Sequence, residues 1–263
     1  MTAVETPRPD VSSQTPKLPL FYKKPVPLSS VDHADWRLVE GDYAFAAQTP
    51  YLPIVMGETA AASRNYPIVF AGGDASPLAL TGLEQTNLFV EDGKWAKDAY
   101  VPAYARRYPF GFLASPDKSR FILALDVDGP NVRSSGAEGQ AMFEEGKPTA
   151  LTTQALTFCD AFQSEAEATT AFCEALKASG VLVDRRADVT LPGGRKMGLE
   201  GFKVVDAEAF AKLPDETVLD WNRKGWLAAV HFHLASMDRF AVLMERQAAR
   251  DGAKADKPAR KAR

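Results

Sequence analysis

The sequence predicts an α+β fold: an N-terminal antiparallel β-rich half followed by a mostly helical half with one β-hairpin. Three observations carry that prediction. Between Phe21 and Phe143 the apolar residues come in short runs bounded by turn formers. After Gly146-Lys147-Pro148 the apolar spacing changes to steps of three and four. The 263 residues are 46% hydrophobic and 25% charged, a balance that supports a buried core.

In chain order, residues 1–20 hold Pro7, Pro9, Pro16 and Pro19 among Ser, Thr and Gln, with too few apolar side chains to offset the entropy of ordering. They are expected to form a disordered leader. Residues 21–145 form the β-rich part, with strands expected at Pro67–Phe70, Leu78–Leu80, Leu88–Val90 and Phe121–Leu125. Turns are expected at Gly72-Gly73-Asp74, Glu91-Asp92-Gly93-Lys94, Ser115-Pro116-Asp117-Lys118 and Asp128-Gly129-Pro130. A helix is expected between Asp98 and Arg107, with Pro102 near its first turn and Pro109 ending it.

Residues 146–249 are expected to be helical and to pack on the first part as one compact unit. Leu151, Ala155, Phe158, Phe162, Ala166, Thr169, Cys173 and Leu176 make one stripe, closed by Gly180. This spacing predicts a single amphipathic helix of about 28 residues. Ala187–Leu191 and Arg195–Leu199 flank Pro192-Gly193-Gly194 and predict a hairpin that runs on through Val205. Asp206 caps a short helix, Pro214 opens another and Gly225 stops it. One last helix is expected from Trp226 to about Gln247. Residues 250–263 hold six basic residues against two acidic ones and are expected to be a basic disordered tail.

Composition also excludes function classes. No uninterrupted apolar run exceeds five residues, so no segment crosses about 30 Å of hydrocarbon as a helix. The whole chain carries 31 basic and 34 acidic residues, with the basic excess in the tail. An acidic body repels phosphates, so nucleic acid is not an expected partner. Met1–Leu20 lacks a basic stretch leading into an apolar one, so no cleaved secretory signal is expected. Cys159 and Cys173 lie on the long predicted helix, about 21 Å apart along its axis. A disulfide needs Cα atoms within about 7 Å, so both are expected as free thiols. Free thiols and no signal make the cytoplasm the expected address.

The densest chemistry is Trp95, Tyr100, Tyr104, Arg106, Arg107 and Tyr108. On a helix Tyr100, Tyr104 and Arg107 share a face, and guanidiniums over aromatic rings suit a carboxylate or phosphate. The competing reading is that the tyrosines pack the sheet while the arginines cover acidic surface. Asp126, Asp128 and Asn131 end a buried-looking strand, where capping of the turn competes with holding a cation or acting as a base. His231 and His233 lie about 200° apart on a helix, so they do not face one ion, and His233 falls on the apolar stripe. His33 is the best single acid/base candidate and has no visible nucleophile partner. Gly-x-Ser-x-Gly, Walker, His-Glu-x-x-His and Cys-x-x-Cys patterns are all absent from the sequence, so no cofactor or metal is expected.

From Tyr43 to Phe112 the text resembles the SapC family of bacterial proteins. The resemblance rests on Tyr43-Ala44-Phe45-Ala46, Tyr66-Pro67-Ile68-Val69-Phe70, Gly82-Leu83, Asn87-Leu88-Phe89-Val90 and Trp95. Above all it rests on Tyr100-Val101-Pro102-Ala103-Tyr104-Ala105-Arg106-Arg107-Tyr108-Pro109-Phe110. Leu191-Pro192-Gly193-Gly194-Arg195, Gly201–Asp206 and Leu213-Pro214-Asp215 extend it. The family's name is linked to surface-layer loci, and its members resemble companions of outer-membrane receptor and flavin halogenase genes. The resemblance brings no catalytic residue set. The permease label carried by some members conflicts with the five-residue apolar ceiling. The function expected is therefore a non-enzymatic accessory or binding protein presenting the aromatic and arginine cluster to a small anion or a partner protein. A surface-layer structural protein and a small-substrate enzyme using His33, Asp126 or Arg107 are the alternatives.

Overall fold

The central sheet is assembled from both halves of the chain. The computed structural model describes residues 18–115, 117, 119–190 and 196–255; the expected leader up to Lys17 and the hairpin turn at 191–195 lie outside them. Ile68–Ala71 and Pro77–Leu80 pair antiparallel, with Ile68 opposite Ala79, and Tyr51–Pro53 adds beside Pro77–Leu80. On the other edge Lys196–Val205 joins with Lys203 opposite Phe70, and Leu182–Thr190 pairs with it in turn. The C-terminal hairpin thus extends the N-terminal strands into one five-stranded sheet. Ile68 and Val69 serve one core and Phe70 a second, so this run is apolar at consecutive positions.

A second sheet has Phe121–Asp126 at its centre, flanked by Pro25–Pro27 and Phe110–Ala114. It covers a third core of Phe110, Leu125, Met142, Phe143 and Cys159. The helix Ala150–Ser179 has 30 residues and ends at Gly180, whose φ of 70° is the left-handed conformation glycine adopts without cost. It contributes Cys159 to the third core, packs Phe162 on the first and buries Phe172 and Leu176 in the second. At about 1.5 Å per residue it is long enough to run past all three.

Four expectations need correction. The strand at Leu88–Val90 reduces to Val90–Glu91 paired with Lys94–Trp95, because the Asn87 side chain takes the Phe89 N–H at 2.9 Å. Gly82 faces this loop, where a Cβ would lie 1.8 Å from the Thr86 carbonyl oxygen. The helix expected over 98–107 is only Ala103–Arg106, since Pro102 holds ψ at 142° and remains extended. The single last helix is two, Trp226–Ser236 and Arg239–Ala255. At the break the backbone shifts to i→i−3 bonds, Met237 to Leu234 and Phe240 to Met237, and the Ser236 hydroxyl donates to the His233 carbonyl at 2.6 Å. Arg250–Ala255, expected within the basic tail, belong to the second of these helices.

His233 and Ser236 fix the helix Trp226–Ser236 to the sheet. The fully buried His233 accepts the Val205 N–H at Nε2 (3.0 Å) and donates from Nδ1 to the Ile68 carbonyl (2.7 Å). The Ser236 hydroxyl accepts the Ile68 N–H at 2.9 Å. Burial pushes the His233 imidazole down to about 4 from its ordinary 6.5, so it folds neutral. The unfolded chain takes up this proton first, so the stability held by His233 is intact above pH 6.5 and is lost as pH falls toward about 4. Urea unfolding at pH 5 is expected to give about 2 kcal/mol less stability than at pH 7, with a smaller drop in His233→Gln. A drop of equal size in that variant assigns the effect to other groups.

Candidate functional site

The segment Tyr100–Phe110 joins the two sheets, and two buried carboxylates hold its ends. Glu58, which no sequence pattern singled out, accepts from the Tyr100 hydroxyl at 2.7 Å and the Ala103 N–H at 2.6 Å on Oε1. Its Oε2 accepts the Val55 N–H at 3.0 Å. Asp126, fully buried, accepts from the Tyr108 hydroxyl (2.9 Å) and from the N–H groups of Lys23 (3.0 Å) and Lys24 (2.7 Å). Its lone pairs are thus engaged in fixing the N-terminal strand to the second sheet. Asn65 accepts the Tyr100 N–H at 3.0 Å, and the buried Tyr66 hydroxyl donates to the Tyr100 carbonyl.

The expected cluster divides. Because the helix begins only at Ala103, Tyr100 does not share its face with Tyr104 and Arg107. Tyr100 meets Arg106 instead, whose Nη2 donates to the phenol at 3.0 Å and whose guanidinium lies 5.6 Å from its ring and 5.1 Å from that of Phe158. The Arg107 guanidinium lies over Tyr104 and Phe162, 4.3 Å from each ring centroid, and 5.9 Å from Tyr22. Its buried Nε has no hydrogen-bond partner. Among the described residues no carboxylate lies within 4.0 Å of either arginine.

Trp95 is buried apart from the arginines, donating from Nε1 to the Tyr66 hydroxyl at 2.9 Å and packing edge-on against Tyr43. Tyr108 points to Asp126. His33 closes its own turn, taking the Ser29 N–H at 3.0 Å on Nδ1 with Trp36 edge-on at 4.8 Å. Of the eight residues expected to form a site, the structure therefore keeps Tyr100 with Arg106 and Tyr104 with Arg107 in stacked pairs. Trp95, Tyr108, Asp126 and His33 serve neighbouring structure. Phe158 and Phe162, which complete the stacks from the long helix, were visible in the sequence only as members of its apolar stripe.

Titration behaviour follows from burial. Burial, with Glu58 adding to it and Arg106 opposing it, raises the Tyr100 phenol to about 12. Burial likewise raises Tyr104, against the Arg107 charge, and raises Tyr108, with Asp126 adding to it. Burial lifts both cysteine thiols to about 11, so neither is a ready thiolate near neutral pH. Tyr104 and Phe162 also line a groove of about 380 Å³ beside the long helix, with Asp74, Glu174 and Lys177 on its rim.

The chain matches the SapC family model over residues 28–243, which takes in the central sheet, the second sheet except Pro25–Pro27, the arginine segment and the start of the last helix. The chain belongs to the SapC family. No curated protein and no solved structure matches it. In this SapC chain the proline-flanked Tyr100–Phe110 string, the most specific part of the resemblance, is also the segment that both carboxylates grip. Among the described residues no helix is long and apolar enough to cross a membrane.

Asp126→Ala leaves the buried Tyr108 phenol and two part-buried backbone N–H groups without their acceptor, and is expected to lower stability by about 2–4 kcal/mol in urea unfolding. Tyr108→Phe removes one donor and is expected to cost about 1–2 kcal/mol. Near-equal losses would show that the two backbone bonds do not depend on the carboxylate.

Proposed function

We propose that this SapC-family protein is a non-enzymatic binding protein that presents Arg106 and Arg107 to an anionic group on a small molecule or partner protein. One observation supports this above the others. Arg107 lies in the angle between the Tyr104 and Phe162 rings, 4.3 Å from each centroid, with no carboxylate partner among the described residues and with its Nε unsatisfied, in a chain that has an excess of acidic residues. Ring contacts order a guanidinium without neutralising it and leave edge N–H groups for a carboxylate or phosphate. Arg106, exposed beside it, adds a second charge.

The enzyme alternative draws less support from the geometry. His33 is engaged in its turn, Asp126 accepts three hydrogen bonds and the thiols are held protonated by burial. No feature of the described residues favours the surface-layer alternative over the binding one.

Native mass spectrometry of the protein purified gently from its own host tests the proposal. The wild-type chain is expected to retain an anionic small molecule or a second protein, and Arg106→Ala/Arg107→Ala to lose it while keeping its fold. Each charge-assisted hydrogen bond contributes about 1.5–3 kcal/mol, so the double variant is expected to bind at least tenfold more weakly, roughly. Equal retention by both forms, or a bare wild-type chain, would overturn the proposal.

A further inference from the structure

A second pair of arginines stands away from this segment. Arg246 and Arg250 lie four residues apart on the helix Arg239–Ala255, so their side chains leave the same face. They form one wall of a groove of about 640 Å³ whose floor is Ala47, Leu88 and Val90. Arg246 is steered by stacking 4.2 Å from the Phe89 ring centroid and by a 3.4 Å bond from Nη1 to the Leu88 carbonyl. Arg250 reaches the Asn87 carbonyl from Nη1 at 3.3 Å. A guanidinium carries five N–H donors, and among the described residues each of these uses one, at a long distance. No carboxylate among the described residues lies within 4.0 Å of either.

Two buried amides neighbour these residues in the chain, although neither lines the groove. Asn87, adjacent to Leu88, is fully buried with its Nδ2 unpartnered. Gln247, between the two arginines in sequence, is 1% exposed with its Oε1 unpartnered. Glu91 and Asp92 line the groove too, in an exposed turn. Their charges oppose a polyanion and leave a single negative charge as the best match for the guanidinium wall.

We propose that this groove binds a small monoanionic carboxylate with an apolar body, its carboxylate on Arg246 and Arg250 and its body on the Ala47, Leu88 and Val90 floor. The site is independent of Arg106 and Arg107. The apolar floor supplies affinity without direction, and the paired guanidiniums orient the charged end.

Calorimetric titration of the full chain with 4-phenylbutyrate, and with 4-phenylbutan-1-ol as its uncharged counterpart, tests this. Saturable binding of the acid is expected, about tenfold or more weaker in Arg250→Ala, with the alcohol binding more weakly than the acid to the wild type. Arg250→Lys, which keeps the charge and loses the fork, is expected to fall between, and carries the comparison if Arg250→Ala shifts the thermal midpoint. Arg106→Ala/Arg107→Ala is expected to bind the acid as the wild type does, so failure of this site and failure of the other are read separately. The proposal is overturned if binding does not saturate by about 10 mM, if Arg250→Ala and Arg250→Lys both bind as the wild type does, or if the Arg106/Arg107 variant abolishes binding.

Discussion

A carboxylate removed from water must be met by donors, and this fold meets two of them with one segment. Glu58 and Asp126 are each buried and each accept three hydrogen bonds. In each case one donor is a tyrosine of the Tyr100–Phe110 string. Glu58 lies just before the central sheet's first inner strand, and Asp126 ends the middle strand of the second sheet. The string between them therefore cannot shift without exposing one buried charge or orphaning the donors around it, a penalty larger than most single contacts carry. That constraint sets the spacing between the sheets. It also fixes where Arg106 and Arg107 emerge.

With its ends held, the segment places Arg107 against the long helix. Tyr104 comes from the segment and Phe162 from the helix, so the guanidinium stack exists only where the two elements meet. A lysine at this position supplies charge but not a forked set of N–H donors, so the two are not interchangeable here. Phe158, one turn earlier on the same helix, faces Arg106 in the same way. The long helix thus acts as scaffold for three cores and supplies one wall of both cation–aromatic contacts.

How far this was legible in the sequence depends on whether a residue's partner is near it in the chain. The long helix, its Gly180 terminus, the Asp206 cap and the core placement of His233 follow from local spacing, and the structure has them. The resemblance placed weight on Tyr100–Phe110, and that segment does link the sheets. What local spacing does not carry is Glu58: a lone glutamate in Met56-Gly57-Glu58-Thr59 becomes an anchor only because Tyr100, 42 positions away, folds onto it. The division of the arginines was hidden for a related reason. A helical wheel assigns Tyr100 to the face of Arg107, but the extended Pro102 delays the helix and hands Tyr100 to Arg106. The break at Met237 was equally invisible, since it follows from the Ser236 hydroxyl bonding at once to its own helix and to Ile68 in the sheet.

The same accounting separates groups that serve the fold from groups left available. Each histidine at a buried position bonds to backbone, each cysteine is raised by burial, and the buried carboxylates Glu58 and Asp126 each accept three hydrogen bonds. Such groups are poor acids, bases or nucleophiles because moving their protons breaks structure. The arginines behave oppositely. Arg106, Arg107, Arg246 and Arg250 are all steered by aromatic rings or carbonyl oxygens, and none has a carboxylate partner among the described residues. Rings and carbonyls orient a guanidinium without neutralising it, so its charge stays free to act on an incoming anion. Four arginines ordered in this way, without a carboxylate beside them, supply the uncompensated charge on which both proposals rest. That arrangement is the common physical basis of both binding sites proposed for this chain.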